Sequence, residues 1–233
     1  IELMFSMAVG SVILILAATM LGSSGDSYER IGGSVATERE ARAIITQLAS
    51  DLSTARFHKD SVIEKLTDAW PRDRLGFLCL QPAEAQTTEG RIGDLCAVNY
   101  YIKDLTIGKK TVRCLMRGFR ESNDTFAAVK ADAVAPLFTE RETTDEPIAF
   151  GVVSFEARPR SRDATGAWID WVADDTDTAG PEALDVKLVI ARRDLTGKLK
   201  TPADWDGGGT TGRLLGDPVK ADLSKDLEIY ETT

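Results

Sequence analysis

Residues 37–57 read TEREARAIITQLASDLSTARF. Thr37 followed by Glu40 forms a capping-box pattern, in which a hydroxyl and a carboxylate satisfy free backbone N–H groups at a helix start. Ala41, Ile44, Ile45, Leu48, Leu52 and Ala55 then recur at i, i+3, i+4, i+7 spacing. Glu38, Arg39, Arg42, Gln47, Asp51 and Thr54 fall on the other faces. The pattern predicts an amphipathic helix over 37–57 laid on an apolar surface. Ala41, Ile45, Leu48 and Leu52 are the expected docking face, and a sheet is the expected surface, because the segments that follow alternate as strands do.

Moving toward the C-terminus, Val98, Tyr100 and Ile102 oppose Asn99, Tyr101 and Lys103, and Val112, Cys114 and Met116 oppose Arg113 and Arg117. The intervening KDLTIGKK (103–110) reads as a hairpin connection. PIAFGVVSFEAR (147–158) reads as a strand bulged near Val152 and Val153. GAWIDWVA (166–173) reads as a short aromatic strand. ALDVKLVIAR (183–192) places Leu184, Val186, Leu188 and Ile190 on one face. Residues 195–223 are rich in Gly, Pro and Asp and predict a long loop, with DLEIYE (226–231) as a last short strand.

Toward the N-terminus the pattern changes. IELMFSMAVGSVILILAATML (1–21) carries no charge from Leu3 to Leu21, near the length a helix needs to cross a bilayer. Glu2 stands at its mouth, where a carboxylate in lipid is costly. The run is longer than a typical secretory-signal core and lacks a clear small-x-small cleavage site, so a retained segment is expected. Gly22, Gly25, Gly32 and Gly33 follow within a dozen residues. Each weakens a helix, so loosening is expected there. A bundle of such helices would explain Glu2: its carboxylate can pair with a neighbour's terminal amine and set the register.

Composition narrows the function classes. The net charge is -9 over 233 residues, with no basic stripe, which argues against nucleic acid. Cys79, Cys96 and Cys114 lack metal-ligand spacing; they read as buried hydrophobes, or as one disulfide plus a free thiol. His58 is the only histidine, and no nucleophile–base pair assembles around it. GGGTTGRL (207–214) has the spacing of a phosphate loop but Arg213 and Leu214 where Lys and Ser or Thr belong. Asp174, Asp175, Asp177 and Glu182 offer oxygen ligands without the spacing of a calcium loop. No catalytic residue, metal site or cofactor is expected.

IELMFSMAVGSVILIL resembles the N-terminal segment of type IV pilins and type II secretion pseudopilins, with Ile1-Glu2-Leu3 matching the family's Ile-Glu-Leu. QLASDLSTARF, the YYI…VRCLMRG hairpin, and GAWIDWVA before PEALDVKLVI resemble more loosely the minor pseudopilin J branch, with Trp168, Trp171 and Pro181 at matching places. The resemblance implies a pilin-like α+β fold: a hydrophobic helix over 1–25, then a periplasmic domain over 26–233 that includes the helix 37–57. It implies a non-enzymatic minor filament subunit at or near the tip, with other pilin or pseudopilin subunits as partners and a prepilin peptidase acting on the precursor. Residence in the bacterial inner membrane as a single-pass protein is implied before assembly. Glu2 would set register, and Ile1, Leu3, Met4, Phe5, Val9, Val12, Ile13 and Leu16 would pack the helices. The alternative expectation is an anchored periplasmic binding or adhesin domain that does not polymerise, with Asp204–Gly212 in its recognition loop.

Overall fold

A computed structural model describes residues 2–66, 69–87, 91–172 and 180–233; before residue 32 it describes side chains at 14, 15 and 18–20 only. Helix α1 runs Glu2–Ser53. It is followed by β1 (Ala55–Arg56), β2 (Val62–Glu64), β3 (Arg74–Leu80), β4 (Leu95–Ile107) and β5 (Lys110–Arg120). Helix α2 (Ser122–Lys130) leads to β6 (Glu146–Phe150), β7 (Val152–Arg162), β8 (Trp168–Asp170) and β9 (Ala183–Ala191). Short helices α3 (Arg193–Thr196), α4 (Pro202–Trp205) and α5 (Gly209–Gly212) precede β10 (Gly216–Asp217), β11 (Asp222–Leu223) and β12 (Leu227–Thr232).

All the ladders between these strands are antiparallel. The first sheet has the order β1-β3-β4-β5-β6, with β2 also paired to β3; the second has the order β12-β9-β7-β8. The β4–β5 hairpin is longer than its sequence suggests. Ile107 pairs with Lys110, so the turn is only Gly108 and Lys109, and Gly108 supplies the positive φ (+67°) that a tight hairpin needs.

Gly151 joins the two sheets. Its N–H donates to the Arg113 carbonyl in the first sheet, and its own carbonyl accepts from the Ala191 N–H in the second, both at 2.8 Å. Its φ is +79°, and a Cβ there would lie 3.1 Å from the Ala191 carbonyl. A register shift in β7 between Val152 and Ser154 completes the bend. The stretch read as one bulged strand is therefore two strands in two sheets.

The sheets thus curl toward each other as a half-barrel. Phe77, Val98, Tyr100 and Leu115 of the first sheet meet Phe155, Val186, Leu188 and Ile190 of the second in one core, and Ala41, Ile44 and Leu48 of α1 close it. The expected pilin-like α+β layout, a long N-terminal helix packed on antiparallel sheet, is corrected: the bulk of the fold is antiparallel sheet packed on sheet. The physical reason is the Gly151 bend, which lets two sheets bury each other's apolar faces.

Three further expectations are corrected. Among the described residues no helix is long and apolar enough to cross a membrane, which overturns the single-pass inner-membrane anchor with a periplasmic domain. The run over 3–21 is the first part of one helix that continues to Ser53, and most of its side chains lie outside the described residues. Nor does α1 loosen at its glycines: it has no proline, and a glycine's cost of about 1 kcal/mol leaves the hydrogen-bond ladder intact. The helix expected over 37–57 neither starts at Thr37, whose hydroxyl donates to the Gly33 carbonyl within α1 (3.0 Å), nor reaches residue 57, since α1 ends at Ser53.

The supposed C-terminal loop is also organised. Leu195, Leu199, Trp205 and Leu215 pack with Trp70, Val153, Val189, Ala191 and Leu227 in a second core, on the opposite face of the second sheet.

Candidate assembly surface around the first helix

The buried stripe of α1 runs Thr37, Ala41, Ile44, Leu48. The next position on it is Asp51, a carboxylate where the period calls for an apolar residue. Asp51 is fully buried. Its oxygens accept from Arg117 Nε (2.9 Å) and Nη2 (3.2 Å), Gln81 Nε2 (2.8 Å), Gln47 Nε2 (3.1 Å) and the Tyr100 hydroxyl. Burial, with Asp51 beside it, raises the Tyr100 pKa, so the phenol stays a donor. Burial works against the Arg117 charge, but its bond to Asp51 outweighs this and raises its pKa. The cluster fastens α1 to β4, to β5 and to Gln81 just beyond β3.

Two more ties lie N-terminal to Asp51. Glu40 Oε1 accepts the Phe150 N–H (2.9 Å) on β6, the last strand of the first sheet. Such a tie protects an edge that would otherwise pair with another chain. Ser34 Oγ donates to Glu228 Oε1 on β12 (2.6 Å). Nearer the N-terminus, Leu14 and Ile15 are 72% and 62% exposed. The helix is thus docked from Ser34 to Asp51 and presents Leu14 and Ile15 to solvent nearer its start.

Beside the docked part lies an apolar cleft of about 450 Å³, lined mainly by Ile45, Leu48, Leu52, Phe57, Leu184 and Val186. Ser53, Glu182, Thr232 and Thr233 contribute the polar part of its lining. Of the four expected docking residues, Ala41 and Leu48 are buried; Ile45 and Leu52 are half-buried beside this cleft.

The other sequence candidates scatter. Ile1 lies outside the described residues. Glu2 is the first residue of α1, and Leu3, Met4, Phe5, Val9, Val12, Ile13 and Leu16 follow on that helix, with side chains outside the description. His58 Nδ1 accepts the Asp60 N–H (3.2 Å) in a local turn. Within 207–214, a Cβ on Gly212 would lie 2.7 Å from the Asp204 carbonyl. These glycines let the chain pack on itself rather than around a phosphate. Asp174, Asp175 and Asp177 lie outside the described residues. Glu182 sits 3.9 Å from Arg162. Among the described residues no group of side chains could hold a metal ion.

Two buried ion clusters escaped the sequence reading. Arg113, fully buried, is held by Asp104 (2.8 Å), Asp206 (2.8 Å) and the Trp205 carbonyl (2.9 Å). Arg120 meets Asp145 (2.6 Å), which also accepts from the Tyr101 hydroxyl (2.9 Å) and the Arg141 N–H (2.8 Å). Arginines alternating with apolar residues in β5 were the only signal, and they name no partner. Burial pushes the Asp145 pKa up, but Arg120 and these other donors outweigh it, leaving it below the usual 3.8. A carboxylate lowered on folding contributes stability above its unfolded pKa and loses it as pH falls. Unfolding free energy is therefore expected to drop from about pH 4 downward. The drop is expected to be shallower in Asp145→Asn, as urea titrations across pH would read. An equally steep drop in the variant would show that Asp145 does not carry it.

Comparison with known families, curated proteins and solved structures finds no match. The pilin, secretion and periplasmic assignments implied by the N-terminal resemblance thus gain no support from relatives, and the membrane-span assignment is overturned as described above.

Proposed function

We infer that this protein is a non-enzymatic filament subunit, of the minor pilin or pseudopilin kind that residues 1–16 resemble, and that it joins its assembly through α1. The observation that carries this reading is the form of α1. A helix of 52 residues extends about 78 Å at 1.5 Å per residue. Among the described residues, its side-chain ties to the sheets include those of Ser34, Glu40 and Asp51. Leu14 and Ile15, exposed near its start, suit burial against helices of neighbouring subunits. In this reading the Glu2 carboxylate pairs with a neighbour's terminal amine and so selects one stagger.

The test is incorporation. Filaments sheared from the host are expected to contain this protein in small amount against the major subunit, measured by mass spectrometry. Glu2→Ala is expected to remove it from filaments while total cellular protein is unchanged. Equal cellular levels of both proteins with neither in any filament would overturn the reading.

A further inference from the structure

The three cysteines are buried thiols, and the fold sorts them. Cys114 lies with Tyr101 and Met116 in a small outer cluster. Cys79 and Cys96 both belong to the main core beneath α1, directly opposite each other on β3 and β4. Two positions along the ladder, the Gln81 N–H donates to the Asp94 carbonyl (2.8 Å). Antiparallel pairs alternate, so Cys79 and Cys96 also form a hydrogen-bonded pair, with Cα atoms about 5.5 Å apart. That falls within the roughly 4.4–6.8 Å that a disulfide spans, and both side chains leave the sheet on the same face.

We propose that Cys79 and Cys96 form a redox site, closed into a cross-strand disulfide by an oxidant that itself carries a disulfide, while Cys114 remains a thiol. One cysteine thiolate attacks the oxidant's S–S bond, giving a mixed disulfide and one released thiolate. The second cysteine thiolate attacks the mixed disulfide and releases the other. Two electrons pass from the cysteines to the oxidant, and the two cysteine protons end on the released thiols. Burial pushes the Cys79 thiol up to about 11 and the Cys96 thiol up to about 12, with Cys79 adding to the latter. Few thiolates exist in the closed fold, so exchange proceeds before the strands close or when the edge opens. The strand covering Cys79 is only Ala55–Arg56, with Ala55 opposite Cys79, which makes that edge the site of opening.

The experiment refolds the full chain in oxidised and reduced glutathione, traps thiols by alkylation in denaturant, and maps peptides by mass spectrometry. The expected product carries one alkyl label, on Cys114, and a linked Cys79–Cys96 peptide; prior reduction restores labelling of all three cysteines. Cys114→Ser is expected to keep the link and Cys96→Ser to abolish it. Labels on all three cysteines after oxidative refolding, glutathione adducts without the link, or a link that includes Cys114 would each overturn the proposal. Because the wild-type map decides the matter alone, a variant that fails to fold leaves the test intact.

Discussion

Asp51→Ala is expected to lower the unfolding free energy by about 3–5 kcal/mol, the usual cost of removing one partner of a buried ion pair. The loss follows from what is left behind. Arg117, whose side chain is 18% exposed, loses both bonds to a fully buried carboxylate. The Tyr100 hydroxyl and the Gln81 amide lose their acceptor as well. Each donor stranded away from water costs about 1–3 kcal/mol. Denaturant unfolding followed by circular dichroism would measure the change. An exposed pair gives the control: Lys59–Asp132, at 64% and 77% side-chain exposure, is expected to change stability by less than about 1 kcal/mol when broken. Hydrogen exchange would separate two forms of failure. Loss of protection confined to α1 would mean that Asp51 holds only the helix. A global loss would mean that the helix is part of the cooperative core, as the joint packing of Ala41, Ile44 and Leu48 with both sheets requires. A change below 1 kcal/mol would show that the cluster does not anchor α1.

The second large effect is expected at Trp205. Trp205→Ala should cost about 3–5 kcal/mol, as for other large aromatic truncations in a core. The ring is fully buried and central to the second core. Its Nε1–H donates to the Thr111 carbonyl (3.0 Å), and its own carbonyl accepts from Arg113 Nη1 (2.9 Å). Truncation therefore empties the space between residues 195–215 and the second sheet and disturbs the Arg113 cluster. Amides of residues 193–223 should lose exchange protection before those of β4 and β9. Trp205→Phe keeps most of the apolar ring and removes one donor, so a smaller loss of about 1–3 kcal/mol is expected. Equal losses in Ala and Phe would mean that the hydrogen bond to Thr111, rather than the packing, secures this segment.

The candidate surface was only partly legible beforehand. The docking stripe followed from the 3.6-residue period, because burial of one helix face requires apolar residues at that spacing. Asp51 sits on the stripe yet was assigned to a polar face, since its type argues against burial. What reverses that assignment is Arg117, Gln81 and Tyr100, all distant in sequence. Arg113 and Arg117 were read as the polar side of β5; both lie on the face of Leu115, where distant carboxylates hold them. The segment 195–223 was read as a loop because its helices are single turns rich in Gly, Pro and Asp. Its order comes from Leu195, Leu199, Trp205 and Leu215 packing on strands, not from local propensity.

Local sequence determined the elements whose signals lie within a few residues. These are the amphipathic part of α1, the β4–β5 hairpin, the β9 stripe of Leu184, Val186, Leu188 and Ile190, and the bulge near Val152. Side-chain period and turn chemistry are short-range properties, and these segments obey them. Tertiary structure alone decided that the strands form two sheets, that Gly151 passes the chain between them, that Arg113 and Asp51 are buried, and that Cys79 faces Cys96. Each of these depends on partners brought together from distant parts of the chain, and burial of a charge or a thiol is set by those partners rather than by its sequence neighbours.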